Sequence, residues 1–302
     1  MHIRRIVIAA AAAVALIGGS VSLQAGASPF SGSGDSGSAG SGSAAPTSAE
    51  NAPIEEDAPE LDGPGSTAEV TVEKTTTTTF YRPSTLSNAK YPVVAWGNGT
   101  GAKVSFYDGL LRNLAKAGFI VAAANTTQSN LDGGKKVLDG ARTLIAANDK
   151  ADSVYFGKID TTKIAISGHS QGGLAAVNSG SNEIVSTVLA IQPGPGNQQD
   201  ELRVPTLYLA GEKDNIVRPG WVLDQYKRTT QVPAWFAELG GEGHLSVGKA
   251  DNGFHPLIIN WLKYQLYGDA AAENVFVGPQ WSLSTDAAYT KVLRNDKASA
   301  LN

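Results

Sequence analysis

Ser170 stands in the sequence Gly168-His169-Ser170-Gln171-Gly172, after a stretch typical of a strand and before one typical of a helix. A serine hydroxyl becomes a good nucleophile when a neighbouring base takes its proton, and a sharp strand-to-helix turn presents it above the edge of a sheet. Side chains at positions 168 and 172 would collide with neighbouring backbone in such a turn, which explains the glycines. The pattern therefore predicts a nucleophilic Ser170. The alternative is a tight turn whose serine has no chemical role.

A base and an acid that would activate Ser170 follow it in the chain. His244 lies in the glycine-rich loop sequence LGGEGH, directly after a strand pattern, as expected for a loop-borne base. Asp214 follows the strand pattern PTLYLA, and α/β sheets place their ligands at the carboxyl ends of strands. We predict that Asp214 orients His244, with Glu212 and Asp200 as competing carboxylates.

Two other histidines are weaker candidates for the base. His169 directly precedes the serine, so we expect it to pack or to form hydrogen bonds locally. His255 precedes Pro256 at a predicted helix start, where we expect a capping or surface role.

An acyl-transfer site also needs two N–H donors for the oxyanion. In this kind of turn, one donor is the backbone of the residue after the nucleophile, here Gln171, and the other comes from the loop after an earlier strand. That loop reads GNGTG after the strand pattern YPVVAW, so Asn98 is the predicted second donor, with Thr100 as the rival. A tight turn without this role is the alternative for the loop.

Two aromatic residues near predicted strand ends are candidates for substrate binding. Tyr107 and Trp221 both lie on the side of the sheet where Ser170 is expected. Ordinary core packing is the alternative for each of them.

The elements that would position these residues alternate between strand and helix. Short apolar runs indicate buried strands, and three leucines at helical spacing, Leu110, Leu111 and Leu114, indicate a helix between two of them. This order predicts an α/β fold with a mainly parallel central sheet and helices on both faces. The turn around Ser170 and the chain order Ser170, Asp214, His244 indicate an α/β-hydrolase fold specifically. We expect one or two leading antiparallel strands within 68–80 and a C-terminal tail that packs on the domain with a frayed end. Predicted strands are 91–96, 119–124, 163–167, 187–191, 205–210 and 235–239, and predicted helices are 105–117, 131–148, one beginning at 174, and 256–266.

The first 66 residues differ in composition from the rest. Residues 1–27 have a basic start, a 12-residue apolar run and the ending Ala25-Gly26-Ala27, which predicts a cleaved signal peptide. An uncleaved membrane anchor is the alternative, although a span needs about 20 residues. Residues 28–66, rich in Ser, Gly, Pro and acids, predict a disordered linker, either a tether or a filler without a role. The hydrolase domain is predicted over 67–302, secreted to the extracellular space or the cell wall, with no stable membrane span after cleavage.

Composition excludes several classes of function. A formal net charge of −4 argues against nucleic-acid binding, which needs a basic face. The absence of cysteine excludes a disulfide framework, a thiolate metal site and a cysteine nucleophile. The four histidines are spaced unsuitably for a structural zinc site, so we expect no metal and no cofactor. We expect a monomer that acts on a small-molecule, lipid or polyester ester.

Over about residues 70–280 the chain resembles the secreted α/β-hydrolase esterases that include cutinase-like polyester hydrolases and dienelactone-hydrolase-like enzymes. The resemblance rests on YPVVAWGNGTGA, FYDGLLRNLAKAGFIVAAAN, SGHSQGG, VPTLYLAGEKDNIV, GEGH and WLKYQLYGD. It implies metal-free hydrolysis of carboxylic esters through an acyl-serine intermediate.

At three positions the chain departs from the polyester hydrolases of that group. They carry an aromatic residue where this chain has Asn98, a methionine where it has Gln171, and a stacking tryptophan near Gly194. Because the stacking surface for an aryl ring is missing there, a general carboxylic ester is the predicted substrate. The alternatives are an acyltransferase with the same triad and a non-catalytic binding protein on a hydrolase scaffold.

Overall fold

The computed structural model describes residues 69–196, 198–249 and 252–301. The predicted signal peptide (1–27), the predicted linker (28–66) and the predicted start of the domain at 67 lie outside the described residues.

One mixed sheet organises the described part of the chain, and it confirms the α/β-hydrolase fold. Its nine strands lie in the order β1-β2-β4-β3-β5-β6-β7-β8-β9, in which β4, β3, β5, β6, β7 and β8 are parallel neighbours and β1, β2 and β9 run antiparallel. The strands are β1 (Val70–Lys74), β2 (Thr78–Pro83), β3 (Tyr91–Gly97), β4 (Ile120–Ala124), β5 (Ile159–His169), β6 (Thr187–Ile191), β7 (Thr206–Gly211), β8 (Ala234–Leu239) and β9 (Tyr289–Arg294).

Helices cover both faces of this sheet, as predicted. In β3 the alternation of side chains sends Val94 and Trp96 into one apolar layer and Val93 and Ala95 into the other. The helices are α1 (Asp108–Lys116), α2 (Lys135–Asn148), α3 (Gln171–Ser179), α4 (Pro219–Arg228), α5 (Phe254–Leu262), α6 (Ala270–Phe276) and α7 (Asp296–Ser299). The first layer contains buried residues of α1, α5, α6 and α7, and the second contains those of α2, α3 and α4. Among the residues described, no helix has the length and apolar character needed to cross a membrane.

Two helices begin at residues other than those predicted. The helix expected from residue 131 begins at Lys135, because Gly133 and Gly134 adopt positive φ values of 69° and 87°. The helix expected from residue 174 begins at Gln171, directly after the predicted nucleophile. Helix α4 was not predicted.

The C-terminal tail was expected to end frayed, and this was wrong for its described part. Strand β9 pairs with β8, and Asn295 then caps α7 by accepting a hydrogen bond from the N–H of Ala298. The Asn295 amide also donates to the carbonyls of Thr229 and Val232, which ties the tail to the turn before β8. A single polar residue with several backbone partners fixes this segment, and no periodic pattern announces it.

Candidate active site

Ser170 lies at the turn between β5 and α3, in the strained geometry expected for an exposed nucleophile. Its φ of 56° and ψ of −115° are unfavourable for a residue with a Cβ, at a cost of roughly 1–3 kcal/mol. Backbone hydrogen bonds hold the turn: the Ser170 N–H donates to Ile191 at 2.9 Å, and the Ser170 carbonyl accepts from Gly194 at 3.1 Å. Helix α3 starts at the next residue, so its unpaired N–H groups point toward this end of the sheet.

The glycines that flank Ser170 are required by close backbone contacts. A Cβ at Gly168 would lie 2.5 Å from the carbonyl carbon of Gly172, and a Cβ at Gly172 would overlap the carbonyl oxygen of Gly97. Strand β3 and helix α3 therefore approach the turn more closely than any side chain allows.

His244 and Asp214 are joined by a short, buried hydrogen bond. Nδ1 of His244 lies 2.7 Å from Oδ2 of Asp214. The other carboxylate oxygen, Oδ1, accepts from the N–H groups of Ile216 and Val217 at 2.9 and 2.8 Å. Asp214 is thus fixed by backbone on one side, with its second oxygen turned toward the histidine.

The competing carboxylates have other partners or positions. Glu212 accepts from the N–H of Gly241 and from Lys213, and these bonds lower its pKa. Asp200 is exposed in a short 3₁₀ turn over Gln199–Glu201. Of the three carboxylates considered, Asp214 is the one bonded to His244.

The three predicted triad residues emerge at one edge of the sheet. Ser170 directly follows β5, Asp214 comes three residues after β7, and His244 comes five residues after β8. The carboxyl ends of these parallel strands lie together, and the His244 ring stands 4.6 Å from the ring of His169, the neighbour of Ser170. The residues predicted to be nucleophile, base and acid therefore lie at the same edge of the sheet.

His169 is buried, as expected, but its hydrogen-bond partner is distant in the sequence. Burial first, and the nearby His244 second, lower its pKa from 6.5 to about 3. Its Nδ1 lies 2.9 Å from the hydroxyl of Tyr107, which itself accepts the N–H of Gly99 at 3.0 Å. Tyr107 therefore links the ring of His169 to the loop after β3.

Tyr107 is consequently not a pocket-lining residue, and that expectation is corrected. Its side chain is 1% exposed, and burial raises the pKa of its hydroxyl to about 12. The ring packs edge-on against Trp96 and Phe106. It supports the loop after β3 from beneath instead of facing solvent.

His255 also differs from its expected capping or surface role. It is buried, and its two ring nitrogens lie within hydrogen-bond distance of the side-chain amides of Asn113 and Asn252. It links α1 to the start of α5, because a ring with two nitrogens can join two elements at once.

The loop after β3 approaches Ser170 closely. A Cβ at Gly99 would stand 3.4 Å from the Cβ of Ser170. The Asn98 side chain is turned inward, where it donates to the carbonyls of Ala124 and Thr126 and accepts from Trp96. The Gly99 N–H is taken by Tyr107. Asn98 therefore anchors this loop, and the backbone N–H groups of Asn98 and Thr100 stay the candidates for an oxyanion donor beside that of Gln171.

Apolar side chains are exposed around this edge of the sheet. Seven large apolar side chains are exposed among the described residues, and five of them follow the carboxyl ends of strands: Phe106, Leu131, Ile216, Trp221 and Leu245. The other two, Val154 and Phe156, precede β5 at the opposite edge. Trp221 is 44% exposed, with the Arg218 guanidinium 5.7 Å from its ring centre. An apolar rim around polar groups is typical of a site for an organic ligand.

Gln192, which the sequence reading did not single out, lies among the predicted triad residues. Its amide donates to Asp214 and to the carbonyl of Gly243, the residue before His244. The sequence QPGPG after β6 contains no recognisable motif that would identify Gln192. Its partners follow two other strands and are distant in the sequence. Within the described residues, no group of three or more His, Asp or Glu is arranged to hold a metal ion.

Comparison with known proteins gives a family and two curated relatives. A family model described as "PETase: PET hydrolase-like" matches residues 44–292. The chain is 27% identical over 236 residues to a bis(hydroxyethyl) terephthalate hydrolase of Streptomyces coelicolor, covering 74% of this chain and 74% of that protein. It is 25% identical over 215 residues to the cutinase est2 of Thermobifida alba, covering 69% of this chain and 70% of that protein. These similarities confirm the resemblance to cutinase-like polyester hydrolases and the assignment of the chain as an ester hydrolase.

Proposed function

We propose that this chain, which belongs to the PET hydrolase-like family and is a carboxylesterase, cleaves its ester through an acyl-serine intermediate. In this proposal Ser170 is the nucleophile, His244 the base and Asp214 the residue that orients the base. The observation that carries it is the buried 2.7 Å hydrogen bond between His244 and Asp214, at the sheet edge where the strained turn presents Ser170.

The chemistry follows from that arrangement. Nε2 of His244 takes the proton of Ser170 as Oγ attacks the acyl carbon, and the imidazolium then gives this proton to the departing alcohol. A water molecule, deprotonated by the same nitrogen, attacks the acyl-enzyme, and the imidazolium returns this proton to Oγ of Ser170 as the acid is released. Asp214 fixes the tautomer with the proton on Nδ1 and stabilises the imidazolium in both steps.

Two backbone N–H groups complete the proposed mechanism. The N–H of Gln171 and that of Asn98, or of Thr100 as the alternative, hold the negative charge on the tetrahedral oxygen. The close approach of Gly99 to Ser170 supports this assignment, because it brings the loop after β3 within reach of the same oxygen.

For the substrate we propose a small ester of an aromatic acid. The Streptomyces relative is named for hydrolysis of bis(hydroxyethyl) terephthalate, and the rim of this site carries the exposed ring of Trp221. Both relatives are hydrolases by name, which favours water as the acyl acceptor over the alcohol of an acyltransferase.

We also propose that the protein acts outside the cell. The supporting observation is the sequence of residues 1–27, with its basic start, apolar run and small residues at 25–27. The monomer expected from the sequence belongs to the same proposal. N-terminal sequencing of protein from the culture medium tests export, and a chain beginning at Ser28 is the expected result.

The experiment that tests the mechanism compares the parent with Ser170→Ala on p-nitrophenyl esters and on bis(hydroxyethyl) terephthalate. We expect kcat to fall by about 10⁴-fold or more, because the nucleophile is lost. Ser181→Ala, a serine substitution elsewhere on the surface, is the control and should leave kcat unchanged. Equal activity of parent and Ser170→Ala would overturn the proposal.

A further inference from the structure

Gln192 lies directly after β6, between the strand that leads to Ser170 and the strand that leads to Asp214. It is 0% exposed and has a φ of 45°. Among the described residues, Ser170 is the other non-glycine residue with positive φ. Glycine would adopt this backbone conformation at less cost, so a side chain at this position indicates that the side chain itself is needed.

The backbone around Gln192 is tied to the predicted nucleophile and to the neighbouring strand. The carbonyl before it, on Ile191, accepts from the N–H of Ser170, and Gly194 donates to the carbonyl of Ser170. The N–H of Gln192 donates to Leu209 in β7 at 2.8 Å. The residue is therefore held in a fixed position relative to both strands.

Its side-chain amide contacts Asp214 and the residue before His244. Nε2 of Gln192 donates to Oδ2 of Asp214 at 2.8 Å and to the carbonyl of Gly243 at 3.0 Å. Both acceptors lack a proton to give, so the reversed amide, with Oε1 in this place, would face two acceptors and is excluded. Oδ2 of Asp214 therefore receives two donors, Gln192 and His244.

The opposite end of the amide faces His169. Gln192 is close enough to His169 to favour its protonated form, although neither Oε1 of Gln192 nor Nε2 of His169 has a regular hydrogen bond within the described residues. The neutral ring with its proton on Nε2 is the tautomer in which Nδ1 accepts from the Tyr107 hydroxyl. Hydrogen bonds lead from Gly99 through Tyr107 to His169, whose ring lies beside Gln192.

We propose that Gln192 is a positioning residue: its amide fixes the Asp214 carboxylate and the loop that carries His244. This inference rests on the proposed function. The Gln192 amide and the His244 ring both donate to Oδ2 of Asp214. The amide therefore limits how strongly this oxygen stabilises the imidazolium. Loss of the amide donor should leave the negative charge of Oδ2 to His244 alone and make His244 more basic.

Among the described residues, the titratable groups placed against His244 are Asp214 and His169, and burial lowers the pKa of His169 to about 3. Glu242 lies on the same loop, and Glu212 lies beside Asp214 but bonds to Lys213 and Gly241. Because the pKa of His169 is so low, we expect the acid limb of the pH profile to report on the pair of Asp214 and His244.

The test measures kcat/KM against pH for the parent, Gln192→Leu and Gln192→Glu on a p-nitrophenyl ester. Gln192→Leu should lower kcat by about 10- to 100-fold, as expected for a lost hydrogen bond to a charged group, with KM little changed. The pKa of the acid limb should rise by about 0.5 to 1 in this variant. Gln192→Glu, which is nearly the same size, should raise it further, because the added carboxylate also stabilises the imidazolium.

Gln225→Leu is the matched control. Gln225 is also buried, and its side-chain amide donates to the carbonyls of Pro193 and Gly194 in the same loop. Neither of these two acceptors belongs to a predicted triad residue. Gln225→Leu should lower the melting temperature without moving the acid limb. An unmoved acid limb in both Gln192 variants, or an equal movement in Gln225→Leu, would overturn the inference. A parent activity that survives Ser170→Ala would instead overturn the proposed function.

Discussion

The carboxylate of Asp214 shows how much of the site is decided by single hydrogen bonds. Its Oδ1 is occupied by the N–H groups of Ile216 and Val217, and its Oδ2 by His244 and Gln192. Four donors hold this carboxylate in one orientation. His244 therefore faces a carboxylate in a fixed position, as its proposed role as a base requires.

Replacing that charge by a neutral amide gives a direct prediction. Asp214→Asn should lower kcat by about 10³- to 10⁴-fold, because the amide favours the wrong tautomer of His244 and does not stabilise its charged form. KM should change little. Steady-state kinetics on a p-nitrophenyl ester at pH 8 measures both.

Glu212→Gln is the control for this substitution, since Glu212 is a nearby carboxylate with partners at the surface. We expect it to keep the activity of the parent. If the two variants lose activity to the same extent, the role given to Asp214 is wrong.

At the scale of elements, helix α4 connects the loop after β6 with an exposed aromatic ring. Gln225 of α4 donates to the carbonyls of Pro193 and Gly194, and Trp221 lies one helical turn earlier on the same face. We therefore expect the exposed indole to lie near that loop. Pro219 at the first turn of α4 fixes the start of the helix and with it the position of the ring.

This placement predicts that Trp221 contributes to binding of aromatic acyl groups. Trp221→Ala should raise KM for bis(hydroxyethyl) terephthalate by about 5- to 10-fold, because a stacked aromatic pair contributes about 1 kcal/mol. KM for a short aliphatic ester such as tributyrin should change less than two-fold by the same reasoning. Measuring both substrates separates stacking from a general loss of activity.

Phe156→Ala provides the comparison for an aromatic residue outside the site. Phe156 is 51% exposed but precedes β5, at the opposite edge of the sheet. It should leave both KM values unchanged. An equal rise of KM for both esters in Trp221→Ala would argue against an aryl-binding role.

For the molecule as a whole, the buried neutral His169 makes folding stability depend on pH. Its pKa is about 3 in the folded chain and near 6.5 when exposed, so the unfolded chain binds one more proton between these values. The contribution of His169 to stability is present above pH 6.5 and is lost as the pH falls toward 3. The slope is roughly 1 kcal/mol for each pH unit in that range.

Urea unfolding of the parent and of His169→Gln at pH 4.5 and pH 6.5 tests this prediction. The glutamine variant should be less stable at pH 6.5, because it loses the bond with Tyr107, but its stability should fall less between the two pH values. The carboxylates lower the free energy of unfolding to the same extent in both proteins, so the difference between the two decreases reports on His169. Equal falls in both proteins would contradict a neutral, buried His169.

The sequence alone determined the features that depend on neighbours along the chain. The apolar runs of β3 to β8 and the leucines of α1 repeat with the period of their own secondary structure, so they identify an α/β fold without tertiary information. The elbow around Ser170, and the order in which Asp214 and His244 follow it, are likewise local patterns with a steric and chemical reason. Their catalytic roles remain predictions for the experiments above.

Tertiary structure decided what depends on residues far apart in the chain. Tyr107 has the sequence context of a pocket residue, but its hydroxyl is consumed by Gly99 and by His169, 62 positions away. Gln192 has no motif at all, because its meaning lies in Asp214 and Gly243, which other strands bring to it. A local pattern indicates on which element a side chain lies. Its burial and its hydrogen-bond partners depend on how strands that are distant in the sequence pack against each other.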